Sequence, residues 1–224
     1  VVTRRAEQPV RTVLWPTRRQ LRARLPRLVV GLVVIALGIA LMARAGTGLP
    51  PYEVLHQGIA RRTPLTLGQA SILLGLLVLV LWIPLRQVPG LGTVLNVVGV
   101  GLATDAFLAV LPEADGVLER TVFTVVGVTV IGIGIGLYIG AGLGPGPRDG
   151  LMTGLAARGM PVWAARLGLE SSALVGGLLL GGTVGLGTVL FAVAVPFLAH
   201  GTLRVFTVSE PAPAPGRAVT GTGR

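Results

Sequence analysis

The sequence predicts an all-α membrane protein. Six transmembrane helices form two inverted three-helix repeats, each with a short re-entrant or interfacial helix. Three observations predict it. First, of 224 residues 52% are hydrophobic and only 12% are charged, where an ordinary soluble domain carries about 25% charged residues. Second, six apolar runs each approach the roughly 20 residues that cross a bilayer as a helix. Third, short motifs of the first half recur in the second half at a nearly constant offset. The 34 glycines follow no strict G-X-Y period, so collagen is excluded, and the apolar content excludes disorder.

The chain opens with an Arg-rich arm, residues 1–27. Of the 19 basic residues, all Arg, eight fall here: Arg4, Arg5, Arg11, Arg18, Arg19, Arg22, Arg24 and Arg27. A net charge of +10 would suggest nucleic acid in a soluble chain. No stacking aromatics accompany the charge, and the cluster immediately precedes an apolar run. Anionic lipid headgroups and a cytoplasmic arm explain it better than nucleic acid. The run Leu28–Ala43 followed by Ala43-Arg44-Ala45 imitates a cleaved secretory signal. It has a counterpart in the second half, so it is read as part of the fold.

The six expected spans are 28–45, 66–85, 91–111, 121–141, 161–180 and 186–206. Lipid leaves backbone groups unsatisfied, so the spans must be helices, and no period-2 barrel pattern is present. With the N-terminus inside, 15 Arg lie on the cytoplasmic side and four outside. That bias predicts both termini in the cytoplasm of a multi-pass bacterial plasma (inner) membrane protein. Trp82 and Trp163 then sit at the inner interface, and the acidic loop 112–120 lies outside. The tail 209–224, rich in Pro, Ala and Gly, is expected to be disordered and cytoplasmic.

Gly90-Leu91-Gly92-Thr93-Val94-Leu95 recurs as Gly185-Leu186-Gly187-Thr188-Val189-Leu190, an offset of 185 − 90 = 95. Gly46-Thr47-Gly48-Leu49 matches Gly140-Ala141-Gly142-Leu143, and Glu53, Leu55, Gly58, Ala60 and Arg62 match Asp149, Leu151, Gly154, Ala156 and Arg158. The repeats are therefore 28–111 and 121–208. Three spans per unit reverse the second unit relative to the first. Inverted repeats of this kind are common in secondary transporters, with the site near the midplane between the halves.

Between the first two spans of each unit lies a Gly-rich break, a proline, an acid and about three turns of helix. Glu53 and Asp149 occupy matched stations near the starts of these short helices. Either they satisfy free N–H groups and the helix dipole, or they face a shared cavity as mirrored carboxylates, with His56 and Arg148 beside them. Arg166 and Glu170, spaced i, i+4, share one helix face in the fifth span. A charge at that depth must face protein or water. It is read either as a structural ion pair or as a coupling carboxylate with its partner. Asp105 in the third span, whose repeat mate is His200, and Asn96 complete the candidates for substrate or ion coupling. Gly132, Gly136, Gly140 and Gly144, and likewise Gly168, Ser172 and Gly176, form small-residue ridges for helix packing.

With two His, no Cys and no Lys, the metalloprotease and P-loop motifs are excluded, and there is no G-x-S-x-G. The expectation is a non-enzyme without metal or cofactor.

Several motifs resemble those of the YczE/YitT-like family of bacterial membrane proteins. They are Gly48-Leu49-Pro50-Pro51-Tyr52-Glu53-Val54-Leu55-His56-Gln57-Gly58, Gly144-Pro145-Gly146-Pro147-Arg148-Asp149-Gly150-Leu151-Met152, the Arg166…Glu170 pair, and Gly-Leu-Gly-Thr in both halves. The resemblance covers about residues 28–206. Where such sequences often carry Gly-Pro-Trp-Asp, this one has Pro50-Pro51-Tyr52-Glu53. The resemblance implies an integral inner-membrane protein and supplies no substrate.

The functional expectation is a small-solute transporter or permease with its site between the repeats. A second expectation is an accessory or regulatory membrane protein that binds a partner through its Gly-rich faces. A third is a channel. The expected partners are the bilayer, anionic lipids at the arm and an unidentified small solute. Nucleic acid is not among them, and self-association stays open.

Overall fold

A computed structural model describes Val13 and residues 16–206. The expected tail 209–224 and the first part of the arm lie outside the described residues. Within them the chain is helical throughout, with no strand. The helices are α1 (Arg18–Ala45), α2 (Pro51–Arg62), α3 (Leu67–Leu85), α4 (Leu91–Val110), α5 (Gly116–Ala141), α6 (Pro147–Ala156), α7 (Val162–Leu179) and α8 (Leu186–Phe206). Five of them, α1, α3, α4, α5 and α8, are long and apolar enough to cross a membrane. The remaining expected span, 161–180, is the 18-residue α7, less apolar because it carries Arg166 and Glu170.

Two boundaries differ from expectation, and one helix is interrupted. Helix α1 begins ten residues before the apolar run, at Arg18, because Thr17 and Gln20 close a capping box that satisfies the first free N–H groups. The second half of the Arg arm is thus helix, with Arg18, Arg19, Arg22 and Arg27 exposed and Arg24 buried. Arg24 donates to Ala141 O at 3.3 Å, the last carbonyl of α5, and Val13 N–H donates to Gly142 O beside it at 2.8 Å. Helix α5 begins at Gly116, so much of the expected outer loop 112–120 is its first turn. Helix α4 is interrupted by a π-helical turn at Asn96–Val100. The matching stretch of α8, residues 191–195, is followed directly by Pro196, inside that helix.

Helices α1 and α5 form the central pair. Gly31 lies against Gly134 and Gly38 against Gly127, so the two run antiparallel. A Cβ on Gly38 would stand 2.5 Å from Ile131 Cγ1 and 2.7 Å from Gly127 O. Lipid supplies little drive for apolar helices to associate, so this close approach of small residues is the adhesive. Leu28, Leu32, Ala36 and Ile39 pack with Val128, Ile131 and Tyr138 in the buried core along this seam.

The remaining contacts come in matched sets. Helix α4 packs on α1 and α8 on α5; α2 packs on α7 and α6 on α3. Gly92 N–H donates to Leu143 O at 2.7 Å, and Gly187 N–H to Thr47 O at 3.0 Å. Arg158 donates to Leu85 O at 3.1 Å, and its repeat mate Arg62 donates to Leu180 O at 3.3 Å. Each short helix is thereby fastened at its C-terminal end to a long helix of the other half. Trp82, expected at the inner interface, is instead 2% exposed. Its ring covers Gly150 on α6, and its Nε1 donates to Pro147 O at 2.9 Å. Trp163 is 70% exposed.

One set is unmatched. Helix α3 packs along α4, but α7 and α8 scarcely touch. The short connection 180–185 joins them.

Candidate functional site

The geometry of the short helices follows from their fastenings. Helix α3 is 19 residues long, about 28 Å at 1.5 Å per residue. One end of α3 adjoins the C-terminus of α2; the other accepts the bond from Arg158, just beyond the C-terminus of α6. The two C-termini therefore lie toward opposite ends of α3. The N-termini meet: the Arg148 guanidinium lies over the Tyr52 ring, 5.3 Å from its centroid. The two short helices, 12 and 10 residues long, measure about 18 and 15 Å.

Both N-termini open into one cavity of about 480 Å³, within the usual range for a ligand site. Helix α2 contributes Tyr52, Glu53 and His56; α6 contributes Arg148, Asp149 and Met152; α7 contributes Arg166 and Glu170. Asn96, at the start of the π-helical turn, also lines it, with Ser71, Tyr138 and His200. The opposite wall is apolar: Ile35 and Ile39 from α1, Ile131 and Ile135 from α5, Phe191 and Val195 from α8.

The charged groups are grouped in pairs. Glu53 Oε2 lies 2.9 Å from His56 Nδ1, with both side chains nearly enclosed. Arg148 and Asp149 approach to 3.8 Å and Arg166 and Glu170 to 3.2 Å. The carboxylates of Glu53 and Asp149 thus engage side chains, and neither short helix has a side-chain N-cap. Residues of both first turns border the cavity, where the positive ends of the two helix dipoles lie. Tyr138 is oriented by its hydroxyl, which donates to Gly144 O at 3.1 Å.

Seven of the eight residues singled out from the sequence line this cavity: Glu53, His56, Asn96, Arg148, Asp149, Arg166 and Glu170. Asp105 does not. Its carboxylate accepts from Gly68 N–H at 2.8 Å and from the Thr66 hydroxyl, closing the start of α3 against α4. The sequence reading missed Tyr52 and Tyr138 as lining residues. Tyr52 was within reach, because it lies between Pro51 and Glu53 at the start of α2. Tyr138 was not, because only the packing of α5 aims it inward. Among the described residues no three His, Asp or Glu side chains converge as a metal ion requires.

Residues 22–202 match the family of unknown function DUF6198. A Haemophilus influenzae protein, named as uncharacterized, is 38% identical over 75% of this chain and 78% of its own length. The uncharacterized membrane protein YczE of Bacillus subtilis is 33% identical over 73% of this chain and 77% of its own length. YyaS of the same organism, also named as uncharacterized, is 25% identical over 76% and 88%. No solved structure matches.

Proposed function

The chain belongs to the DUF6198 family, with a YczE-like membrane protein among its relatives, and from that premise we propose that it is a carrier for a small solute. In this reading α7 is a sixth span, and α1–α4 and α5–α8 are inverted units. Both termini face the cytoplasm of a bacterial plasma membrane. The exposed Arg18, Arg19, Arg22 and Arg27 meet anionic headgroups there. The carrier binds its solute without transforming it, so it is not an enzyme.

One observation carries the reading. Two short helices without side-chain N-caps bring their first turns to a cavity that holds the Arg148–Asp149 and Arg166–Glu170 ion pairs and the Glu53–His56 contact. The seams supply the direction. Asp105, Thr66 and Gly68 close α3 against α4 at the end that this reading places outside, while α7 and α8, joined at that same end, make little contact. That is the pattern of an inward-facing state. Exchange of the two seams gives the outward-facing one, with the π-helical turn of α4 and Pro196 of α8 as bending points. The single-conformation channel reading lacks support from such one-sided closure.

The test is flux in proteoliposomes across a broad panel of solutes, with and without a pH gradient, against Glu170→Gln. No flux and no proton movement for any solute ends the reading. The accessory-protein alternative draws on Gly168 and Ser172, exposed on α7 with open space beside Gly168. It requires a stoichiometric partner on crosslinking.

A further inference from the structure

The two walls of the cavity differ in character, and the gap between α7 and α8 separates them. Helices α2, α6 and α7 supply the carboxylates and guanidinium groups; α1, α5 and α8 supply mostly apolar side chains, with Tyr138 and His200 as the polar ones. Outside the gap, Leu167 on α7 and Val193 and Phe197 on α8 are exposed, so both helices sit at the lipid-facing perimeter. Among the described residues α7 packs chiefly on α2 and α6 and α8 on α5, with little contact between α7 and α8. A molecule entering the cavity between these two helices would have its polar part toward α7 and its apolar part toward α8.

The charged groups restrict the polar part. The carboxylates of Glu53, Asp149 and Glu170 stand in one cavity with the guanidinium groups of Arg148 and Arg166, and the imidazoles of His56 and His200 line it too. Groups of both signs therefore lie side by side. A head of one sign alone would engage only one set of these groups. A head carrying both signs can exchange partners with the existing pairs, its cation taking Glu53 or Glu170 and its anion Arg148 or Arg166.

We propose that the solute is a single-chain amphipath with a zwitterionic head, admitted from the inner leaflet between α7 and α8. This rests on the carrier reading and assigns its substrate class.

The experiment uses the full chain in nanodiscs of phosphatidylglycerol, so that the bulk lipid carries no zwitterionic head. The probe is dodecylphosphocholine with a diazirine in its chain, photolysed at trace concentration and mapped by mass spectrometry. Label is expected on Phe191, Val195 or Ala199, which line the cavity. Unlabelled dodecylphosphocholine should displace it at about tenfold lower concentration than dodecyl sulfate or dodecyltrimethylammonium. Free phosphocholine should not displace it. Ala192→Trp, in the gap, should remove the label, whereas Val193→Trp, one position away and exposed, should not.

Label confined to Val193 and Phe197, or equal displacement by all three heads, overturns the proposal. Displacement by free phosphocholine also overturns it, because the ligand would then enter from water. Cavity labelling without flux of the probe in proteoliposomes would instead remove the carrier reading and leave the binding assignment standing. Glu170-dependent flux of a chainless solute, with no cavity labelling, would do the reverse.

Discussion

Thr93 and Thr188 hold mirror-image stations. The Thr93 hydroxyl donates to Pro145 O at 2.7 Å and accepts from Gly90 N–H at 3.1 Å. The Thr188 hydroxyl donates to Leu49 O at 2.8 Å and accepts from Gly185 N–H at 3.3 Å. Each therefore ties the start of its own helix to the Gly-rich break of the other half. Gly144 and Gly48, at φ +130° and +115°, let those breaks pass so closely that a Cβ would meet the threonine oxygens at 2.9 and 2.7 Å. Replacement of either Thr by Val keeps the shape and leaves a buried carbonyl and N–H unsatisfied, about 1–3 kcal/mol. Both single variants should melt earlier by a similar amount in thermal unfolding. A loss at Thr93 alone would contradict equivalent roles.

Gly38→Ala tests the central seam. Its Cβ would overlap Gly127 O and the Ile131 side chain, an overpacking that costs about 1–3 kcal/mol. Gly201→Ala is the control, since nothing lies near a Cβ there. Thermal stability followed by size-exclusion chromatography should drop for the first and not for the second.

The seam between α3 and α4 can be locked. The chain has no Cys, and Thr66 and Asp105 are in hydrogen-bonding contact. In the carrier reading the double variant Thr66→Cys, Asp105→Cys should lose flux on oxidation and regain it on reduction. Undiminished flux in the oxidised protein would mean that this seam does not open.

Glu170→Gln removes one charge of the α7 pair and leaves Arg166, 54% exposed, without its partner. Because Arg166 is half open, the stability cost should stay near that of an exposed pair, about 0–1 kcal/mol. The expected loss is in flux and in its response to a pH gradient. Wild-type flux with wild-type gradient response would remove Glu170 from the transport step.

Part of this arrangement was legible in the sequence because the same short motifs stand at two places in the chain. The Gly-Leu-Gly-Thr motifs, the paired prolines and the acids at 53 and 149 mark corresponding helix starts before any coordinate is known. The start of α1 was legible too, in Thr17-Arg18-Arg19-Gln20, but the apolar run drew attention away from it. What stayed hidden depended on partners distant in the chain. Asp105 reads as an intramembrane acid until Thr66 and Gly68 are seen against it. Trp82 reads as an interfacial anchor until Gly150 is found beneath its ring. The scant contact of α7 with α8 has no local signature, because it is a contact that its counterpart, α3 with α4, makes and it does not.

The bond from Arg24 to the last carbonyl of α5 has a practical corollary. A shortened version of this protein designed by hydropathy would start at Leu28, where the greasy stretch begins. It would discard the strap that seals the end of α5 along with residues that look dispensable. Such a truncation should express poorly for reasons unrelated to targeting, and any version made for structural work should keep the chain from Val13 onward.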